Sequence, residues 1–381
     1  MLQRFVYIAV AVCVSLFLSP SCGGGRQQAS LSEGDTLSLR HATHLTVVEH
    51  DGYTLAVVRN PWDTARVLHT YVLVEQGTQL PATAPEGTVV RVPLSRAVVY
   101  TAVHCALLDE WGKTGAIAGV CDLPYISLPA VQEGCRMGRI QDLGNGMAPD
   151  VERIIDLHPD ALLLSPFENS GGYGRVDRLG VPIIECADYM EHSALGRAEW
   201  VRFYGRLFGC ARRADSMFAA VERDYLQLKR CAQACEERPT VLTDLPMSAS
   251  AWYVPGGAST VGRMYADAGA HFLFAGNARS GSVPCSFETV FERAQDADCW
   301  LIRYNAPQDR TYTSLQQEYA PYSRFHAFRT RQMYGCNTGN TPFYEEVPFH
   351  PERLLAEMVQ IFHPSLRTDT LQWRYYKPLE E

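Results

Sequence analysis

Two glutamates occupy matching places in two similar stretches of this chain. Pro149-Asp-Val-Glu152 leads to an Asp-Ala pair at Asp160, and Cys285-Ser-Phe-Glu288 leads to an Asp-Ala pair at Asp296, eight residues after the Glu each time. The helix dipole favours a carboxylate in the first turn of a helix, and the apolar run after each pair predicts a buried strand. The repeat predicts two α/β lobes with parallel sheets and a ligand cleft between them. Coincidence between two ordinary α/β units is the alternative.

The catalytic motifs of secreted α/β enzymes do not occur in the sequence. There is no Gly-x-Ser-x-Gly, no His-Glu-x-x-His and no phosphate-loop motif. Gly171-Gly-Tyr-Gly174 is too short for a dinucleotide site, and no cysteine pair has the Cys-x-x-Cys spacing of a zinc site. The sequence therefore disfavours an enzyme, which stays an alternative together with a structural or adhesive protein.

The N-terminus has the pattern of an export signal. Arg4 precedes an apolar run from Phe5 to Leu18, which is shorter than the ~20 residues that a membrane span needs. Small residues then lead to Cys22 and resemble a bacterial lipoprotein processing site in its looser Bacteroidetes form, although Pro20 departs from the strict pattern. We expect a signal peptide at 1–21, a lipidated tether at 22–39, and a periplasmic location at the cell envelope through a lipid anchor on Cys22.

Composition narrows the class of partner and the cysteine chemistry. The 381 residues carry a formal net charge of −8 and contain no basic run, so no nucleic-acid partner is expected. Twelve cysteines less Cys13 and Cys22 leave ten in a compartment where disulfides form. Cys121 and Cys135 flank one loop and are a possible disulfide, with buried free thiols as the alternative.

The secondary-structure pattern changes along the chain. Short β-like runs at Leu45–Glu49, Thr54–Val58 and Val67–Val74 are separated by turn residues and predict hairpins. From Ala97 the pattern alternates between strands and helices. Apolar residues from Ala214 to Leu228 recur at helical spacing and predict one amphipathic helix of about 25 residues, which Pro239 ends. A single long helix is therefore expected to join two α/β lobes.

This arrangement resembles the periplasmic substrate-binding proteins of ABC importers for iron complexes and cobalamin. The resemblance covers about Arg40 to Leu366 and rests on the order and spacing of several weak motifs. They are Arg91-Val-Pro-Leu, Thr101-Ala-Val-His104, Gly119-Val-Cys-Asp-Leu-Pro-Tyr125, Gly138-Arg-Ile-Gln-Asp-Leu-Gly144, Pro149-Asp-Val-Glu152, Ala187-Asp-Tyr-Met-Glu, Leu195-Gly-Arg-Ala-Glu-Trp200, Trp252-Tyr-Val-Pro-Gly-Gly257 and Asp267-Ala-Gly269. Ala258-Ser-Thr and His350-Pro depart from the family pattern, so the ligand stays open.

The resemblance implies an architecture and a set of partners. It divides the chain into an N-terminal lobe with a β-rich entry (40–210), a connecting helix (211–237) and a C-terminal lobe (238–381). It implies a monomer without a resident cofactor that binds an iron complex (siderophore, haem or ferric citrate) or, alternatively, a corrinoid. The partners would be an ABC permease and its ATPase.

A large metal chelate needs aromatic walls and a few polar anchors, and candidates for both lie on loops after predicted strands. Some have a second interpretation: Trp62 would cap a hairpin, His104 would be a structural histidine or a metal ligand, and Arg303 would form a surface salt bridge. The candidates are Trp62, His104, Tyr125, Phe167, Tyr173, Trp252, Tyr253, Gly256, Gly257, Ser282, Arg303, Tyr304 and Tyr344.

The two repeated glutamates have a separate role in the resembling family. There, acidic residues at the tip of each lobe dock onto arginines of the two permease subunits, and Glu152 and Glu288 match those positions. On this interpretation their helices face away from the cleft. The alternative is that each Glu only stabilises its own helix, by ~0.3–1 kcal/mol.

Overall fold

A computed structural model describes residues 34–168, 172–247, 251–367 and 372–381. The expected signal peptide, Cys22 and most of the expected tether lie outside the described residues. No helix among the described residues combines the length and apolar character that a membrane crossing requires.

An N-terminal sheet precedes the two lobes. Its strands β1 to β4 pair antiparallel in chain order, and β5 adds to β4 in parallel. Alternating apolar residues such as Leu45 and Val47 on β2 face the main core, so the hairpin prediction is confirmed. The strands are β1 (Asp35–Thr36), β2 (Leu45–His50), β3 (Tyr53–Arg59), β4 (Val67–Glu75) and β5 (Thr88–Val92).

The first lobe is a five-stranded parallel sheet in the order β10-β9-β6-β7-β8. Its strands are short and almost wholly buried, as expected where helices cover both faces. The elements are β6 (Ala97–Val99), α1 (Ala102–Glu110), β7 (Ile117–Val120), α2 (Pro129–Arg136), β8 (Gln141–Asp142), α3 (Val151–Leu157), β9 (Ala161–Leu164) and β10 (Ile183–Glu185).

Three helices lead to the second lobe: α4 (Ala194–Glu199), α5 (Val201–Leu207) and α6 (Ala211–Gln233). The long helix α6 buries Phe218, Val221 and Tyr225 along one face, as its apolar period predicts. It ends four residues before the expected limit at 237, and Pro239 follows.

The second lobe has a sheet in the order β13-β11-β15-β16-β17, in which only the last strand is antiparallel. Strands β12 and β14 form a separate antiparallel pair. The elements are β11 (Thr240–Thr243), β12 (Trp252–Pro255), α7 (Thr260–Asp267), β13 (His271–Phe272), β14 (Ser282–Cys285), α8 (Phe287–Ala294), β15 (Cys299–Tyr304), α9 (Tyr312–Glu318), α10 (His326–Arg329), β16 (Met333–Asn337), α11 (Phe343–Glu346), α12 (Pro351–Phe362) and β17 (Lys377–Pro378).

The sequence repeat corresponds to a structural repeat. In one copy α3 leads to β9, and in the other α8 leads to β15. The Asp150 side chain caps α3 by accepting from the Arg153 N–H, and Ser286 caps α8 by accepting from the Thr289 N–H. The fold is therefore α/β, with two lobes of parallel sheet joined by one long helix, as the sequence predicts.

Buried carboxylates hold the segment before β2 and the segment before β17 against this core. Glu199 accepts the backbone N–H groups of residues 40, 41 and 42 at 2.8–3.0 Å. Glu191 accepts those of residues 43 and 44 at 2.9–3.0 Å and the Trp200 indole N–H at 2.9 Å. Near the C-terminus, Glu357 accepts the backbone N–H groups of residues 374, 375 and 376. These backbone donors are thus satisfied outside any helix or sheet.

The two lobes touch through a polar and aromatic contact. Ser127, after β7, donates to the Glu345 carboxylate of α11 at 2.7 Å. His350 of the second lobe lies 2.8 Å from Glu110 at the end of α1. Phe349 packs edge-on against the His104 ring of the first lobe. These contacts fix the lobes at the base of the space between them.

All ten cysteines in the described part of the chain are free. Cys121 is buried and Cys135 half-buried, so the possible disulfide between them is not formed. Burial raises the pKa of the Cys121 thiol to about 12, which keeps it protonated and inert.

We expect Glu199→Gln to lower the free energy of unfolding by about 2–4 kcal/mol. The amide keeps one acceptor oxygen but turns an NH₂ group toward backbone N–H donors, and at least one donor loses its partner. Urea unfolding measures the change, with the exposed Glu237→Gln as the matched control. Equal urea unfolding midpoints for the two variants would contradict the stabilising role of the Glu199 hydrogen bonds.

His350 makes the stability depend on pH. Burial opposes the charged imidazole, but hydrogen bonds to Glu110 and Glu352 outweigh it and raise the pKa of His350 to about 8 from 6.5. Its contribution, about 2 kcal/mol, is complete below pH 6.5 and is lost as the pH rises through 8. Unfolding midpoints between pH 6 and 9 should fall less steeply in His350→Gln than in the wild type. The exposed His271→Gln should retain the wild-type slope.

Candidate functional site

Exposed apolar side chains concentrate where the strands of both lobes end. The carboxyl ends of parallel strands share one edge of a sheet, and ligands of open α/β folds bind there. Among the described residues, twelve large hydrophobic side chains are exposed, and seven of them lie on segments that follow such strands. They are Tyr125, Met147, Phe167 and Tyr189 in the first lobe, and Met247, Tyr253 and Tyr344 in the second.

The two strand edges meet at one point. The hydrogen bond from Ser127 to Glu345 joins the loop after β7 to the helix after β16. Tyr125 lies two residues before Ser127, and Tyr344 is the neighbour of Glu345. These tyrosines are 79% and 58% exposed although they adjoin a closed contact between the lobes. They therefore lie near the contact between the lobes in sequence and expose much of their surface.

A cavity of about 530 Å³ lies at the strand edge of the first lobe. Hydrogen bonds shape its loops: Asn145 accepts the Met147 N–H at 2.8 Å, and Asp177 accepts the Tyr173 N–H at 2.7 Å. Both acceptors are Asx-type residues that replace backbone partners in turns. The described lining residues are Tyr100, Gly146, Met147, Ala148, Pro149, Val151, Leu164, Phe167, Gly172, Tyr173, Gly174, Arg175 and Val176.

Tyr173 in the cavity wall is held from the N-terminal sheet. Its hydroxyl donates to Glu185 of β10 at 2.8 Å. The other oxygen of Glu185 lies 3.0 Å from His69 Nδ1 on β4, and His69 Nε2 lies 2.8 Å from the Thr88 hydroxyl. Burial and the Glu185 charge raise the pKa of Tyr173 above its usual range, so the phenol keeps its proton. The Tyr173 side chain thus lines the cavity, while its hydroxyl donates to Glu185.

One cation adjoins this cavity. Arg175 lines it, and the Arg175 Nη2 atom lies 3.5 Å from Glu152 Oε1. Glu152 is exposed in the first turn of α3, and Glu288 is exposed in the first turn of α8. Val151, directly before Glu152, lines this cavity, whereas Glu152 itself is not among the described lining residues. The docking role of Glu152 and Glu288 stays a prediction.

Several predicted residues lie where a ligand could reach them. Phe167 and Tyr173 line the cavity, and Tyr125 and Tyr344 flank the lobe contact. Tyr253 is 41% exposed on β12, and Ser282 is exposed on β14, where it pairs with Pro255. Ligand contact by these side chains stays a prediction.

Trp252 does not face a cleft. It is 0% exposed, stacks on Trp300, and donates its indole N–H to the Thr243 carbonyl oxygen at 3.1 Å. Successive side chains on a strand point to opposite faces, so Trp252 enters the core of the second lobe when Tyr253 is exposed.

His104 is a structural histidine rather than a ligand group. It is buried, with Nδ1 against the Thr101 hydroxyl at 2.5 Å and Nε2 3.3 Å from Asp188. Burial opposes its charge, but Cys186 and Asp188 outweigh that effect and raise the pKa of His104 to about 10. Arg197 and Tyr204 also donate hydrogen bonds to Asp188, so the carboxylate beside His104 is held by groups of the first lobe.

The remaining predicted residues serve the fold. Cβ atoms on Gly256 and Gly257 would stand 2.0 Å from the Arg279 and Ala275 carbonyl oxygens, so these glycines allow close backbone packing.

Arg303 forms a two-point ion pair with Asp244 at 2.8 and 3.0 Å. Because its guanidinium is largely enclosed, this pair is not the surface salt bridge that the sequence suggested. Tyr304 accepts the Arg310 N–H through its hydroxyl. Trp62 is half-buried in the turn after β3, where Asn60 accepts its backbone N–H, as a hairpin cap would be.

Sequence analysis missed Tyr100, Met147 and Arg175. Tyr100 follows a strand directly, and that position is a signal that could have identified it. Met147 and Arg175 lie in loops whose course depends on long-range contacts. No group of three or more His, Cys, Asp or Glu suited to a metal ion occurs among the described residues.

Three comparisons place this fold among known proteins. Residues 97–338 match the sequence profile of the family described as periplasmic binding protein. An uncharacterised lipoprotein of Methanocaldococcus jannaschii is 25% identical over 288 residues, which are 72% of this chain and 67% of that protein.

Two solved structures share the fold at low sequence identity. The TroA-like periplasmic binding protein FepB from Veillonella parvula has a TM-score of 0.58 at 15% identity, covering 76% of this chain and 95% of that chain. A periplasmic haem binding protein from Pseudomonas aeruginosa has a TM-score of 0.57 at 16% identity, covering 75% and 98%. The N-terminal sheet precedes the range that the family profile matches.

Proposed function

Since the chain belongs to the periplasmic binding protein family, we propose that it captures an iron complex and delivers it to the permease of an inner-membrane ABC importer. The fold is that of the substrate-binding proteins of iron, haem and siderophore importers, so the chain is a binding protein and not an enzyme. Such proteins work with a permease and an ATPase.

The exposed aromatic and methionine side chains at the strand edges carry this proposal. Tyr125, Phe167, Tyr253 and Tyr344 expose ring surface that a folded protein normally buries. Aromatic rings and methionine suit a broad, polarisable ligand, and burying them on binding recovers apolar contact. Because both lobes contribute, a ligand at the lobe contact would touch the two sides at once.

The chemistry of the ligand follows from the same surface. Arg175 is a cationic anchor, and the other described residues that line the cavity are uncharged, which favours a complex that carries carboxylates, such as haem or ferric citrate. A corrinoid is the second candidate, because it also presents a broad apolar face but needs no cation.

The proposal includes the parts that lie outside the described residues. We propose that residues 1–21 direct export, that Cys22 carries the lipid, and that the protein acts as a monomer held in the periplasm. The lobes would comprise residues 40–210 and 238–381, with 211–237 as the connection.

Titration of the purified protein with haemin, ferric citrate and cyanocobalamin tests the ligand class, and native mass spectrometry of protein from its own host identifies the complex.

We expect Tyr125→Ala with Tyr344→Ala to weaken binding by about 10- to 100-fold, since two ring contacts are lost. Met147→Ala should weaken it about 3- to 10-fold.

Met137→Ala is the matched control, because Met137 is 59% exposed at the end of α2, away from the strand edges. It should leave affinity at the wild-type value. Equal losses in the two methionine variants, or binding of none of the three probes by folded protein, would overturn the proposed site.

Docking gives a second prediction. Glu152→Ala with Glu288→Ala should still bind ligand but should abolish growth on that ligand as sole iron source, because docked charge pairs contribute more than exposed ones. Each single variant should do less harm. Normal growth of the double variant would reduce both residues to helix-stabilising glutamates.

A further inference from the structure

Arg175 belongs to the cavity and to an exposed ion pair at once. Its side chain lines the cavity of about 530 Å³, and its Nη2 atom lies 3.5 Å from Glu152 Oε1. Pro149 and Val151, three residues and one residue before Glu152, line the same cavity. A ligand in the cavity and the Glu152 carboxylate would therefore compete for one guanidinium.

The ion pair is suited to such an exchange. The side chains of Arg175 and Glu152 are 70% and 79% exposed, and exposed pairs of this kind are weak. Arg175 is the one charged residue among the described lining residues, and Tyr173 has committed its hydroxyl to Glu185. A carboxylate that enters the cavity thus meets Arg175 as its cationic partner, and a two-point Arg–carboxylate bond is stronger than the pair it replaces.

Glu288 provides an internal comparison. It holds the same first-turn position in the second copy of the repeat and is also exposed. None of the ion pairs between described residues involves it, whereas Glu152 has Arg175. The two glutamates are alike in sequence but differ in their electrostatic surroundings.

We propose that Arg175 anchors a carboxylate-bearing ligand and thereby couples occupancy of the cavity to the charge of Glu152. In the empty protein Arg175 partly neutralises Glu152. In the occupied protein Arg175 turns to the ligand and leaves Glu152 as a free carboxylate. In taking Glu152 as a docking residue, this inference rests on the proposed function: the first lobe would present its docking charge fully only when loaded, and Glu288 at all times.

Coupling between two sites is reciprocal, so it can be measured without the permease. Haemin, with two propionates, is the probe, and absorbance titration gives its affinity. Arg175→Met should weaken haemin binding by about tenfold or more, because the charge-assisted bond is lost. Glu152→Gln should strengthen it about two- to fivefold, because Arg175 is released from its competitor.

Two variants separate coupling from a general change in the surface. Glu288→Gln should leave haemin affinity unchanged. Glu152→Gln combined with Arg175→Met should bind haemin as weakly as Arg175→Met alone, since Glu152 acts only through the arginine. Circular dichroism checks the fold, and Arg175→Lys should restore part of the affinity by restoring the charge.

Each outcome decides between the claims. Suppose that wild-type protein binds haemin, but Glu152→Gln leaves haemin affinity unchanged or changes it equally in the Arg175→Met background. The coupling is then overturned and the proposed function stands. If the protein binds cyanocobalamin and neither haemin nor ferric citrate, the anion anchor is overturned and the corrinoid alternative holds. If folded protein binds none of these probes, the inference and the proposed function both fall.

Discussion

The placement of the N-terminal sheet depends on two buried carboxylates that bind backbone. Glu199 and Glu191 accept five consecutive backbone N–H groups from Arg40 to His44, a stretch that belongs to no helix or strand. Unpaired, these donors would be costly inside the protein. The hydrogen bonds of these two carboxylates hold the start of β2 against α4 and α5, so the sheet is fixed to the first lobe. His69 of that sheet orients the Glu185 carboxylate. Glu185 in turn accepts from the Tyr173 hydroxyl and so fixes the Tyr173 ring in the cavity wall.

This dependence explains how a region outside the matched family range can affect a binding surface. The parallel sheet alone would leave its edge strand β10 beside the cavity without a neighbour. Tyr71 of β4 closes that edge by donating to the Ile183 carbonyl and accepting the Glu185 N–H. The N-terminal sheet, which precedes the range that the family profile matches, therefore supports the edge of the first lobe.

The sequence predicted elements better than it predicted directions of side chains. Apolar β-branched runs such as Leu45–Glu49 and helix signals such as Pro351 give strands and helices from local physics alone. Trp252 was predicted to contact the ligand together with Tyr253, yet the strand alternation that exposes Tyr253 must bury Trp252. That error was avoidable from sequence. The roles of His104 and Arg175 were not, because their partners Asp188 and Glu152 lie 84 and 23 residues away and no periodicity links them.

The positions of the exposed aromatic residues also explain why a shared fold does not determine which ligand is bound. The strands and helices that neighbours share are buried, and their residues are constrained by packing. Phe167 lies on a loop, Tyr125 on a single 3₁₀ turn and Tyr344 on the four-residue helix α11, and such exposed side chains can change without disturbing that packing. Relatives with the same lobes can therefore differ in every ligand contact. In this chain the described loop surface is aromatic, and Arg175 is the cation among the described residues that line the cavity. Those loop residues, rather than the fold, are the basis on which a broad complex bearing carboxylates is proposed.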